Sequence, residues 1–77
     1  MEQRIKLIWD FRNVEAEKIA EHHVKHLEEY IASKKVQNTS AHYEMVLPNH
    51  WIAYLITHKS MMIELRDALK PHRGERI

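Results

Sequence analysis

Seventy-seven residues, with twelve Lys or Arg against eleven Asp or Glu and no cysteine, bound the possibilities before any pattern is read. A chain this short makes one domain, buries roughly 60% of its unfolded surface and gains from self-association. Without cysteine there are no disulfides, thiolate metal sites or cysteine nucleophiles, which fits a reducing cytoplasm.

No apolar run approaches the ~20 residues of a membrane span, and no targeting segment is expected. The charges are interspersed rather than gathered on one face, which argues against a nucleic-acid module. Only the tail over 71–77, with Arg73 and Arg76, is locally basic. One Gly and two Pro leave no sign of a linker, so a single α+β domain over 1–77 is expected.

Residues 4–12, RIKLIWDFR, alternate. Ile5, Leu7, Trp9 and Phe11 share one face, Arg4, Lys6, Asp10 and Arg12 the other, and only Ile8 departs. This is a strand with one buried face. Asn13 is the expected N-cap of a helix over about 14–35, with Glu15 and Glu17 at its positive end. Ala16, Ala20, His23, Leu27 and Ile31 form its apolar stripe.

After a polar connection, AHYEMVL and HWIAYLIT flank Pro48-Asn49, which reads as a hairpin with a two-residue turn. The second of these strands is apolar on both faces, as a central strand would be. Met61, Met62, Leu65, Ala68 and Leu69 then repeat at helical spacing, giving a second helix over about 59–70 that Pro71 stops. Thr57 or Ser60 is its expected cap.

The expected order is β-α-β-β-α. A right-handed crossover gives a three-stranded sheet of order 1-3-2 with both helices on one face. This topology resembles the ferredoxin-like split β-α-β plan lacking its last strand, a resemblance that implies no activity.

Seven histidines make the chain histidine-rich. His22 and His26 stand one helical turn apart with Glu29 continuing the row, so the three are candidate ligands for a divalent transition metal. The run His22-His23-Val24-Lys25-His26 lacks the Glu after the first His that a metalloprotease helix carries, and a solvated flank is favoured. No cofactor is expected. His23, inside the stripe, is expected as a core ring bonded to a carbonyl or a tyrosine hydroxyl.

His42 and Glu44, two apart on one strand, could join Asp10 on the helix-free face as a general-base set. No glycine loop or oxyanion motif accompanies them, so the chain reads as a binder rather than an enzyme. Arg12, just before the first helix, could hold an anion with the free amides there, although a solvated strand end is favoured.

A direct two-residue turn sets Met45 opposite Ile52 and Tyr43 opposite Tyr54. Ile8, Val46, Trp51, Ala53 and Leu55 then fall on the helix-free face. That apolar centre with a charged fringe is the expected interface of a homodimer, or of a protein or small-molecule partner.

Overall fold

The computed structural model describes residues 3–77. Its elements are β1 (Arg4–Arg12), α1 (Ala16–Lys34), β2 (Ser40–Leu47), β3 (His50–His58), a 3₁₀ turn over Lys59–Met61, α2 (Met62–Leu69) and β4 (Arg73–Arg76). The sheet has four antiparallel strands in the order β2-β3-β1-β4.

The expected three-stranded sheet is therefore incorrect. The residues read as a basic tail form β4, which pairs Ile5 with Arg76 and Ile8 with Arg73. β1, expected at an edge, is an interior strand. Residues 73–76 show no apolar alternation because all four are exposed, and the strand is held through its backbone and one ion pair. With β4 in place, both crossovers are split by an intervening strand. The fold is thus the full β-α-β-β-α-β ferredoxin-like arrangement rather than a truncated one.

Period two in β1 packs Ile5, Leu7 and Trp9 with Leu27 of α1, Leu55 of β3 and Leu65 of α2. Ala20, Val24 and Ala53 form a second, smaller cluster. Small residues at Ala16, Ala20 and Ala53, all fully buried, let α1 lie close to the sheet.

α1 starts at Ala16 with no side-chain cap on the helix itself. The expected cap, Asn13, instead closes a turn ahead of it: its Oδ1 accepts the Glu15 N–H at 2.7 Å and its carbonyl the Ala16 N–H at 3.0 Å. The helix ends in a Schellman arrangement, with Lys35 left-handed (φ 53°) and Val36 N–H bonded back to Ile31 O. α2 ends likewise on left-handed Lys70, and Pro71 follows. Neither Thr57 nor Ser60 caps α2. Thr57 is buried inside β3, and its hydroxyl shares a 2.8 Å hydrogen bond with that of Thr39.

The hairpin departs from expectation by one residue. Leu47 does oppose His50, but a bulge between Met45 and Leu47 sets Met45 opposite Trp51 and Tyr43 opposite Ala53. The favoured two-residue hairpin turns need positive φ at their first central position, which Pro48 cannot adopt. Asn49 alone turns left-handed, at φ 64°, and the extra residue at Val46 supplies twist that the turn lacks. A shift of one exchanges the faces of a strand. Trp51, Ala53, Leu55 and Thr57 therefore face the helices, and Ile52, Tyr54 and Ile56 the open side.

Candidate functional site

The expected interface does not form as a surface. Ala53 and Leu55 are fully buried beneath the helices, and Trp51 packs beside them. Ile8 does lie on the open face, yet it is 1% exposed. Tyr54 and Arg73 stand opposite it in register on either side. Of the five residues, only Val46, at the bulge, is exposed.

The open face is instead a polar lattice over an aliphatic floor. Its centre is Asp10, whose carboxylate receives three hydrogen bonds: from His50 Nε2 at 3.0 Å, Arg73 Nε at 3.0 Å and Arg73 Nη2 at 3.3 Å. These link β3, β1 and β4 across the sheet. The hydrogen bond from Arg73 is the largest influence on Asp10 and, with His50, Arg12 and the Arg73 charge, outweighs burial; the carboxyl is lowered to about 2. Farther along β1, Lys6 lies above the Tyr54 ring of β3 at 4.1 Å and 3.5 Å from Glu44 of β2.

The expected catalytic set is thus divided. Asp10 and Glu44 flank Ile52 in register on opposite sides. His42 bonds Ser40 Oγ at 2.9 Å and packs against Tyr54. The histidine that meets the Asp10 carboxylate is His50, which sequence reasoning placed only as a turn neighbour. His42 borders an open depression with Glu28, Ile31 and Thr39 that neither Asp10 nor Glu44 reaches. Together with Arg73, the Asp10–His50 pair ties β3, β1 and β4 to one another.

His22 and His26 are exposed, their Nε2 atoms 3.0 Å apart, with Glu29 4.0 Å from His26 Nδ1. Among the described residues no group of three metal-ligating side chains forms. Two imidazoles on one helix leave a tetrahedral ion half-coordinated. Arg12 is exposed at the end of β1, where Asn13 already takes up the first two amides leading into α1.

His23 is packed as expected but not bonded as expected. Its ring lies 4.8 Å from that of Trp9 and 5.6 Å from that of Phe11, and its buried Nε2 has no hydrogen-bond partner. Burial foremost, then the nearby His26, His72 and His22, pushes its pKa below the ordinary 6.5. The folded chain refuses a proton that the unfolded chain accepts. The associated stability is complete above that ordinary value and declines as the pH falls through it. His23→Leu is expected to raise stability by about 1 kcal/mol and to weaken this acid dependence. Thermal melts of both chains on either side of neutrality check it; a less stable variant would mean that Nε2 has a partner.

A cavity of about 290 Å³ opens between the start of β1, β4 and the front of α2, lined by Ile5, Lys59, Met62, Gly74 and Arg76 among others. None of the candidate residues named above borders it. No helix among the described residues is long and apolar enough to cross a membrane.

The remaining prominent surface is the outer edge of β2. Tyr43, Met45, Val46 and Leu47 are all exposed there, Leu47 at 61%. The opposite edge of the sheet, β4, is four residues long and reads RGER. Short, charged strands are how sheets protect an edge, whereas β2 is eight residues long and carries Glu44 as its one charged side chain along Tyr43–Leu47.

No protein-family model, curated protein or solved structure matches the chain.

Proposed function

We propose that this protein is a small homodimeric interaction module, and that it pairs through the bare edge of β2. The observation that carries this reading is the asymmetry of the two sheet edges. β2 presents a row of backbone N–H and C=O groups to solvent beside four exposed apolar side chains. β4 presents charge. Strand addition joins main-chain hydrogen bonds to burial of alternate side chains, which suits such an edge. A second copy is the simplest occupant, because a two-fold contact needs only one surface.

Light scattering at tens of micromolar tests the reading. The expected mass is twice the 9.3 kDa of one chain. Met45→Lys places a charge on the apolar edge, outside the core, and is expected to give a folded monomer with an unchanged far-ultraviolet spectrum. A wild-type monomer, or a Met45→Lys chain that stays dimeric, would count against edge pairing.

A further inference from the structure

We infer that β2 pairs with β2 of a second copy in antiparallel register about a two-fold axis passing through Tyr43; this rests on the edge reading above. In an antiparallel pair, side chains directly opposite one another share a face. With the axis perpendicular to the sheet, both copies keep their helices on the same side. Residues that oppose one another must then both be odd or both be even, so the axis passes through a residue and not between two.

Tyr43 and Met45 point to the helix side, opposite Ala53 and Trp51; His42 and Glu44 point to the open side. An axis at Glu44 opposes two carboxylates directly. An axis at His42 opposes two imidazoles. An axis at Ala41 leaves only a short overlap, and one at Met45 runs the pairing across the bulge before Leu47.

The axis at Tyr43 avoids all four. It sets His42 opposite the partner's Glu44, and Glu44 opposite the partner's His42, on the open face. On the helix side it sets Ala41 opposite the partner's Met45, a small residue against a long one, twice. Glu44 is half exposed beside Lys6, so one face of its carboxylate remains available. Tyr43 already lies against Trp51 with ring centres 5.9 Å apart. The two tyrosines at the axis therefore meet with a tryptophan behind each. The product is a continuous sheet of eight strands with all four helices on one side.

Directly opposed residues in an antiparallel pair have Cα atoms about 4.5–5.5 Å apart, within the disulfide range of about 4.4–6.8 Å. The chain has no cysteine of its own, so single cysteines report the register without interference. Tyr43→Cys is expected to cross-link into a covalent dimer on mild oxidation, while His42→Cys and Glu44→Cys, displaced from the axis, do not. His42→Glu, which sets like charges opposite, is expected to weaken the dimer about tenfold, a change of roughly 1.4 kcal/mol. The exchanged pair His42→Glu with Glu44→His is expected to restore it.

A dimer that cross-links at 42 or 44 instead of 43 overturns the register and leaves edge pairing standing. A wild-type monomer overturns both. If Tyr43→Cys alone fails to dimerise, the charge exchange decides: no rescue by the exchanged pair overturns the register.

Discussion

Trp9→Ala is expected to remove about 3–5 kcal/mol, a large part of the stability the chain has. Trp9 is 3% exposed and packs with Ile5, Leu7, Leu27, Leu55 and Leu65, so both helices and the two central strands lose contacts together. Its strand partner Ala53 is too small to fill the space. Its indole N–H also donates to Leu69 O at 3.2 Å, tying β1 to the C-terminal turn of α2. Truncating a buried Trp costs about 3–5 kcal/mol. A chain of this length has a total stability of about 4–12 kcal/mol, so one substitution removes much of it. Trp9→Phe keeps most of the packing and should lose about 1–2 kcal/mol, part of it from the freed carbonyl. Urea unfolding followed through Trp51 measures both. A Trp9→Ala chain within about 1 kcal/mol of wild type would show that the ring is not a core member.

Asp10→Ala is expected to cost about 2 kcal/mol and to loosen β4 selectively. The carboxyl is lowered from 3.8 to about 2, and one pKa unit corresponds to about 1.4 kcal/mol. Asp10 itself is 12% exposed, but Arg73 is 44% exposed, so solvent screening discounts its share. Because the folded pKa is depressed, this stability is complete above 3.8, the ordinary value. It is lost as the pH falls from there toward about 2. Wild type should weaken across that window while Asp10→Ala does not. Hydrogen exchange should show the amides of residues 73–76 opening first in the variant, because Arg73 loses its hold on β1. Equal protection of β4 in both chains would mean that the ladder alone secures it.

What could be read from the sequence divides along physical lines. β1 and α1 were legible because burial on one side writes a period, two for Ile5-Leu7-Trp9-Phe11 and 3.6 for Ala16-Ala20-Leu27. β4 was not, since an exposed edge strand buries nothing and so writes none. Its one signal was charge: Arg73 is a cation one short strand away from Asp10. The faces of β3 were misassigned because that strand is apolar on both, leaving the register to the turn, and the bulge at Val46 moved it. The same slip hid the polar centre. With Arg12 opposite His50 and Asp10 opposite Ile52, His50 becomes a diagonal neighbour of Asp10, which a correct register would have revealed. His23 was legible as a packed ring but not as an unbonded one, because periodicity carries no information about hydrogen-bond partners.

The interior position of β1 sets the order in which the molecule can assemble. β2 and β3 are joined by two residues and can meet within microseconds, as hairpins do. Both neighbours of β1 come from far along the chain; the contact from Asp10 N–H to His72 Nδ1 spans 62 positions. Each such closure spends loop entropy before any packing is gained, so the chain should fold slowly for its size. During that interval the hairpin exists without β1, and the apolar sides of β3 lie open. The time a newly made chain spends exposed to aggregation is therefore governed by how quickly β1 finds its place beside β3, and only secondarily by the arrival of β4.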